Sequence, residues 1–285
     1  MLPAPFAGPR HRELNLFGTR LPETSRSPTA RSHQPFRLAM TPPTNFTLFL
    51  HIPKTAGTSF KLACIQTLGP RLSWWHYTMP ERQFQNGIVH FTDLNEIVPE
   101  MGRRFDMCGG HVRFGNLPPA MRDQSLLISV LREPVARALS YFAYLWDHPE
   151  HPLAKLTGGM TLFDALQVPE FRRAIHNQQS HILFGGFQHR EEVLERSGVR
   201  YLIGKVEQMQ AFLDAIPQYG GPRLSIKTSV NISRENYRSI LEAQPRFAEA
   251  LDIIRELNQN DTALYESFVD LLVSAPLRGQ RADRL

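Results

Sequence analysis

The segment spanning residues 47–68 constrains the fold of this chain most strongly. An apolar run stops at His-Ile-Pro, residues 51–53, and a helix-like stretch begins at Phe60. Lys54 and a set of small and hydroxyl-bearing residues lie between them. This order predicts a strand, a tight loop and a helix. Such a loop directs backbone N–H groups and a helix N-terminus at one point, which attracts an anion such as phosphate or sulfate.

Six consecutive residues are candidates for this anion site: Lys54, Thr55, Ala56, Gly57, Thr58 and Ser59. The lysine adds a mobile positive charge, and the three hydroxyl side chains add hydrogen-bond donors. The alternative is a generic strand–turn–helix that carries a surface lysine.

The loop differs from the P-loop of nucleotide hydrolases. That loop reads G-x-x-x-x-G-K-[ST], with its lysine just before the helix and a hydroxyl ligand for magnesium. Here Lys54 comes three residues before Gly57, and no glycine lies four or five residues upstream of the lysine. A P-loop-like kinase or nucleotide hydrolase stays an alternative, and it requires an acidic metal ligand at the end of a strand.

The basic character of the chain belongs to its two ends. The net charge is +5, of which +4 falls in residues 1–39 and +2 in residues 278–285, so the body between them carries −1. This distribution does not support nucleic acid or a highly sulfated polymer as a partner of the body.

Length and composition favour one large α/β domain, since the chain has 285 residues and is 42% hydrophobic. Residues 1–43 are rich in Pro, Arg, Ser and Thr and are predicted to be disordered. Met40 offers an alternative start, and a transit peptide is a weaker third option. Residues 44–275 are predicted to form the working domain, followed by a basic tail at residues 276–285.

Neither the two cysteines nor the hydropathy suggests a secreted or membrane protein. Cys64 and Cys108 lie in apolar surroundings, where small buried thiols are expected rather than a disulfide framework. No apolar stretch reaches the length of a membrane span, and no secretory signal is evident. The expectation is a cytoplasmic, bacterial protein.

A second strand is predicted at residues 125–131, a continuous apolar run typical of a strand buried on both faces of a parallel sheet. A helix follows at residues 135–146. Further helices are predicted at residues 92–102, 161–166, 170–183 and 206–216, with one or two at 239–272 and a short strand at 200–204. This alternation predicts an α/β three-layer sandwich around a central parallel sheet.

Arg132 stands at the carboxyl end of this second strand, the edge at which open parallel sheets bind ligands. Ser140 follows about two helical turns later, with Arg137 between them. An arginine fork and a helix hydroxyl form a suitable clamp for a phosphate. Arg-Glu-Pro before a helix can also serve as simple capping with a surface ion pair.

These two motifs together resemble those of sulfotransferases. Lys-Thr-x-Gly-Thr-Ser at 54–59 resembles the 5′-phosphosulfate loop, and residues 131–142 resemble the 3′-phosphate motif. Further segments are similar to those of sulfotransferase family 2, which includes heparan and chondroitin O-sulfotransferases: residues 108–114, 177–185, 201–207, 230–233 and 260–265. The resemblance covers residues 46–270. Ala56 departs from it, because the family often has glycine there, and alanine fits only where no positive φ is needed.

The resemblance implies a P-loop-NTPase-like sulfotransferase fold. It also implies an O-sulfotransferase that moves a sulfuryl group from 3′-phosphoadenosine-5′-phosphosulfate to a hydroxyl, with a carbohydrate as the expected acceptor and no metal. Lys54 would stabilise the departing 5′-phosphate, while Arg132 and Ser140 would hold the 3′-phosphate. Ser229 and Asn231 belong to a candidate lid over the nucleotide, and their loop equally suits a helix cap.

His111 is the candidate general base, because its Gly-His context matches the catalytic histidine of the family. Gly109 and Gly110 before it suit a backbone that turns sharply near a ligand. His51 and Glu133 are the alternative bases. A structural hydrogen bond is expected for His51, and an arginine partner for Glu133.

Trp74, His76 and Arg113 are the candidates for contact with the acceptor, since aromatic faces stack on sugar rings. A strand that packs into the core is the alternative for the Trp74 segment. A non-catalytic module that binds a nucleotide or a sulfated glycan stays open as a third function.

Overall fold

The computed structural model describes residues 46–75, 83–85, 87–191, 193–194, 199–226 and 237–273. Several predictions lie outside these residues: the N-terminal extension with Met40, the tail at 276–285, and the site candidates His76, Ser229 and Asn231. The limits of the domain at 44–275 stay a prediction.

The described strands form a single eight-stranded sheet. They are β1 (Phe46–Leu50), β2 (Leu72–Trp75), β3 (Gln83–Gln85), β4 (Ile88–Phe91), β5 (Met107–Gly110), β6 (Ser125–Leu131), β7 (Arg200–Lys205) and β8 (Leu272–Val273). Their spatial order is β3-β4-β2-β5-β1-β6-β7-β8. All pairs among the six inner strands are parallel, and β3 and β8 close the two edges in antiparallel fashion.

The helices surround this sheet. They are α1 (Gly57–Leu68), α2 (Pro119–Gln124), α3 (Pro134–Asp147), α4 (Pro152–Thr157), α5 (Leu162–Ala165), α6 (Pro169–Ile175), α7 (Gln178–Phe184), α8 (Met209–Ala215), α9 (Tyr237–Glu242), α10 (Phe247–Leu257) and α11 (Gln259–Glu266). Proline begins α2, α3, α4 and α6, where its fixed φ suits the first turn and its missing N–H costs no hydrogen bond.

Both faces of the central strands are buried, which makes the fold three layers thick. Every residue of β1 and β6 is buried. Alternate side chains of β1 enter different cores: Leu48 and Leu50 pack on one face of the sheet, and Phe49 packs on the other. This follows from the two-residue period of a strand. The predicted α/β sandwich around a mostly parallel sheet is confirmed.

Two predicted helices have different bounds because single residues with a left-handed backbone interrupt them, and a third prediction is not a helix. The stretch 170–183 divides into α6 and α7 at Asn177, whose φ is 43°. The stretch 239–272 lies largely in α9, α10 and α11, with Arg246 at a φ of 60° immediately before α10. Left-handed residues end a helical run. The region 92–102 contains two short 3₁₀ turns rather than a helix.

The thiols behave as expected from their apolar neighbours. Cys64 and Cys108 are both free and fully buried. Burial raises the pKa of Cys108 to about 12 and also raises that of Cys64. Within the described ranges no helix combines the length and the apolar character needed to cross a bilayer. The cytoplasmic location stays a prediction.

The direction of the chain crossovers places a crevice between β1 and β6. After β1 the chain passes through α1 to β2, which lies toward the β3 end of the strand order. After β6 it passes to β7, which lies toward the β8 end. Neighbouring strands whose connections leave in opposite directions form a topological switch point, and ligands bind outside the carboxyl ends of such strands. The residues after Leu50 and after Leu131 are therefore the ones to examine.

Candidate active site

Three neighbouring strands bring the main candidate residues together at the carboxyl ends of the parallel strands. His111 follows β5, the loop with Lys54 follows β1, and Arg132 follows β6. Leu50 is paired with Gly110 in the β1–β5 ladder, so His51 and His111 leave their strands side by side. Their rings stack with centroids 4.0 Å apart and an interplanar angle of 25°.

The loop after β1 is closed by its own threonine. Thr55 is fully buried, and its Oγ1 donates to the carbonyl of Ile52 at 2.9 Å. The expectation that this hydroxyl donates to the anion is therefore wrong, because the hydroxyl is engaged within the loop.

Two residues of the loop adopt left-handed backbone conformations. Lys54 has a φ of 70°, and Ala56 has a φ of 60°. The condition for a well-fitting alanine at position 56, a negative φ, is not met. A side chain with a Cβ is strained in this region by about 1–2 kcal/mol.

Ala56→Gly is therefore expected to stabilise the protein by about 1 kcal/mol, after allowance for the greater freedom of glycine in the unfolded chain. Thermal unfolding of the full chain measures this as a rise in Tm of about 2–4 °C. Ala63→Gly, in the interior of α1, is the matched control and is expected to lower Tm. An unchanged or lower Tm for Ala56→Gly contradicts the strain at this position.

The start of α1 presents backbone donors rather than a side-chain cap. Ala56 is the N-cap residue, and no side chain among the described residues caps this end of the helix. The N–H groups of the first turn, from Gly57 to Ser59, have no intrahelical acceptor. Gly57 is required because a Cβ there would lie 1.7 Å from Nε2 of His51. An anion at this point is favoured by the N–H groups and the helix dipole.

Lys54 and Arg132 bring two positive charges to the same place. Arg132 donates from Nη1 to the carbonyl oxygen of Lys54 at 3.3 Å. The lysine Nζ lies 4.5 Å from the centroid of the Tyr144 ring. Burial, and then the charge of Arg132, lower the pKa of Lys54, while Asp147 acts in the opposite direction. A bound anion would offset the repulsion between the two cations.

The contact between the two histidines defines the tautomer of His111. Its Nδ1 lies 3.0 Å from the carbonyl oxygen of His51. A carbonyl only accepts, so we assign the proton to Nδ1, which leaves Nε2 as the acceptor. The pKa of His51 itself lies well below its usual value, chiefly through burial and then through the charges of His111, Lys61 and Lys54. His51 is therefore neutral at neutral pH. Its backbone carbonyl accepts the bond from His111, whereas no partner for its buried ring Nδ1 is found among the described residues, so the structural role expected for this side chain stays a prediction.

Glycines 109 and 110 serve a different purpose from the one predicted. Both lie within β5 instead of forming a sharp turn. A Cβ on Gly109 would lie 2.4 Å from Cζ3 of Trp74, and one on Gly110 would lie 2.9 Å from Cβ of Trp75. The glycines thus let the tryptophans of β2 pack across β5 and bring the strand that carries His111 close to its neighbour.

The residues predicted to clamp the 3′-phosphate lie around the start of α3. Arg132 lies two residues before this helix, and Arg137 and Ser140 lie in its first two turns. Ser140 is 2% exposed, and no hydrogen-bond partner for its Oγ is found among the described residues. Arg137 is 1% exposed and donates from Nη2 to the carbonyl of Ile175 at 2.8 Å. Arg137 is thus a structural residue, and Ser140 is a buried hydroxyl that a ligand oxygen would satisfy.

Glu133 caps α3, and it forms no ion pair with an arginine among the residues that the structure describes, contrary to the expectation. Its two carboxylate oxygens accept from the N–H groups of Val135 and Ala136 at 2.9 and 2.6 Å. This is the usual role of an acidic N-cap residue. Because both oxygens are engaged, Glu133 is a poor candidate for the general base.

The acceptor candidates are divided by burial. Trp74 is 3% exposed and packs against Phe49 with ring centroids 6.2 Å apart, so it follows the core alternative that the sequence left open. Arg113 is half-buried after β5. Sequence reasoning missed Tyr144, although its position one turn after Ser140 on α3 places both on the same helical face.

The part of the chain that the structure describes holds no group of three or more His, Cys, Asp or Glu side chains placed to bind a metal ion. The absence of a metal requirement stays a prediction.

Comparisons with known proteins give a distant structural likeness. The sequence matches no protein-family model and no curated protein. Among solved structures it is similar to a sulfotransferase from Alicyclobacillus acidocaldarius, with 15% sequence identity and a TM-score of 0.38. That match covers 80% of this chain and 100% of the other. A likeness this distant carries no argument, so the fold class rests on the structure of this chain and the function rests on the site itself.

Proposed function

We propose that this protein is an O-sulfotransferase that uses 3′-phosphoadenosine-5′-phosphosulfate and acts on a carbohydrate hydroxyl. One observation carries the proposal: the hydrogen bond from Arg132 to the carbonyl of Lys54 joins the two predicted phosphate motifs at the switch point. A ligand with phosphates at both ends would need both motifs within one crevice.

The residues present suit such a donor. The start of α1 and Lys54 would hold the 5′-phosphate, since both supply positive potential at one point. Arg132 and Ser140 would hold the 3′-phosphate. The buried Oγ of Ser140, which lacks a partner among the described residues, supports this assignment. Ser229 and Asn231 are proposed to extend the nucleotide site on the strength of the family resemblance alone.

The chemistry assigned to the chain is proton removal and charge stabilisation. The bound donor supplies a sulfuryl group for the acceptor oxygen. His111 Nε2 takes the proton of the acceptor hydroxyl, because Nδ1 is engaged by the His51 carbonyl. Lys54 Nζ stabilises the negative charge that develops on the 5′-phosphate oxygen. The amides at the start of α1 hold that phosphate in line with the acceptor.

Aromatic side chains beside Lys54 support a carbohydrate acceptor. The ring of Tyr144, over which the lysine Nζ lies, has its centroid 3.9 Å from that of His148 and 6.3 Å from that of Tyr141. All three rings are half-buried, so part of each is exposed. Partly exposed aromatic rings beside the proposed reacting centre suit contact with the apolar face of a sugar ring. Arg113 and His76 stay proposed acceptor contacts.

Calorimetric titration of the full chain separates this function from a P-loop-like kinase. We expect tight, magnesium-independent binding of adenosine 3′,5′-bisphosphate and binding of ATP weaker by about 10- to 100-fold, the equivalent of losing charged hydrogen bonds to the 3′-phosphate. Preference for Mg-ATP would instead favour the kinase. Transfer of radiolabelled sulfate to a panel of carbohydrates then separates an enzyme from a non-catalytic binding module.

A further inference from the structure

We propose that Gln179, held in place by Asp261, is the positioning residue for Arg132. This inference rests on the proposed function, in which Arg132 binds the 3′-phosphate. The carboxamide of Gln179 bonds both backbone groups of Arg132: its Oε1 accepts from the N–H at 3.0 Å, and its Nε2 donates to the carbonyl at 2.9 Å.

The position of Arg132 in the sheet explains why it needs this support. The β6–β7 ladder ends at the pair Leu131 and Lys205, so Arg132 lies one residue beyond the last strand partner. The carboxamides of asparagine and glutamine carry a C=O acceptor and an N–H donor in one planar group, as a peptide does. The fully buried Gln179 thus continues the sheet hydrogen bonding by one residue from the start of α7.

Asp261 fixes the helix that carries Gln179. It is fully buried on α11, and its carboxylate accepts from the backbone N–H groups of Gln179 and Ser180 at 2.9 and 2.8 Å and from Ser180 Oγ at 2.7 Å. Asn177 returns the support, because its Oδ1 accepts from the N–H groups of Asn260 and Asp261, each at 3.1 Å. The starts of α7 and α11 therefore cap each other, which sets the position of Gln179.

The guanidinium of Arg132 is held less firmly than its backbone. Its contacts to the Lys54 carbonyl and to the hydroxyl of Tyr237 are 3.3 and 3.4 Å long, against 2.9 and 3.0 Å for the backbone contacts to Gln179. Hydrogen bonds weaken as they lengthen toward this limit. The place of the guanidinium in the crevice thus depends mainly on where its backbone is anchored, and Gln179 supplies that anchor.

The test is a ratio of two affinities, measured by calorimetry on the full chain. The ligands are adenosine 3′,5′-bisphosphate and adenosine 5′-monophosphate, which differ only in the 3′-phosphate. Gln179→Met removes both hydrogen bonds and keeps the volume. We expect it to lower the preference for the bisphosphate about tenfold, or ~1.4 kcal/mol, with little change in affinity for the monophosphate.

Tyr201→Phe is the matched control, because Tyr201 donates to the carbonyl of Leu183 at the other end of α7, at 3.0 Å. It is expected to lower Tm and to leave the preference unchanged. A Gln179→Met protein that keeps the wild-type preference overturns the positioning role. If that variant does not fold, Asp261→Asn serves instead, because it keeps the volume and loosens Gln179 indirectly. It is expected to reduce the preference for the bisphosphate about threefold. An unchanged preference in Asp261→Asn also overturns the positioning role. A wild-type protein without any preference for the bisphosphate contradicts the proposed function itself.

Discussion

Lys54→Met is expected to lower kcat for sulfate transfer by about 10²- to 10³-fold, the usual cost of removing one charge-stabilising donor from an active site. The lysine is half-buried, its Nζ lies over the Tyr144 ring, and the carboxylate of Asp147 offsets part of its charge. Methionine keeps the length of the side chain and removes the charge. Steady-state assays with radiolabelled donor measure the effect, and affinity for adenosine 3′,5′-bisphosphate is expected to fall by a smaller factor.

Lys61→Met is the matched control for this change. Lys61 lies on α1, the helix that follows the loop with Lys54. Its pKa is also lowered by burial, and its Nζ lies 4.6 Å from the centroid of the Trp74 ring. It is the same kind of half-buried, ring-stacked lysine, placed outside the anion loop. We expect kcat to change by less than about threefold, because the residue makes no transition-state contact. Equal losses in the two variants would contradict a specific role for Lys54.

His111→Ala is expected to lower kcat by about 10²- to 10⁴-fold, the range for loss of a general base. Affinity for adenosine 3′,5′-bisphosphate is expected to stay near that of the wild type, since no phosphate contact is assigned to this side chain. A base acts only in its unprotonated form, so the wild-type kcat falls toward acidic pH. The variant is expected to lack that acidic limb in a pH–rate profile.

His189→Ala, which removes an exposed imidazole of the same kind, serves as the control and is expected to leave kcat unchanged. A His111→Ala enzyme that keeps most of its turnover while binding the donor normally contradicts the assignment. In that case His51, whose ring stacks on His111, becomes the stronger candidate.

Elements defined by local sequence pattern were predicted well. The apolar run at residues 125–131 is β6 without a change of bounds, and the helix predicted at 135–146 is α3. These succeed because a strand buried on both faces is apolar throughout and because a proline marks a helix start. Strands β2, β4 and β5 are short and carry tryptophan, histidine and glycine, so their pattern is weak.

Candidate residues for the site could be chosen from the sequence by residue type, whereas their contacts could not. Lys54, His111 and Arg132 do meet at one edge of the sheet. The engaged hydroxyl of Thr55, the N-cap role of Glu133 and the core position of Trp74 were not readable from the sequence alone. These three contacts depend on neighbours and backbone angles that the tertiary fold sets, and the local spacing of residues does not predict them.

The sequence by itself determined the strand–loop–helix with its lysine, the buried strand that ends at Arg132, and the layered α/β class. These follow from periodicity and from turn chemistry, which act over a few residues. Only the tertiary structure decided that β1 and β6 are neighbours whose crossovers diverge, which brings the two motifs into one crevice. It also decided that Gln179 and Asp261, more than 40 residues from Arg132, hold the arginine in place. Long-range pairing of this kind depends on how the sheet closes, and so no local pattern contains it.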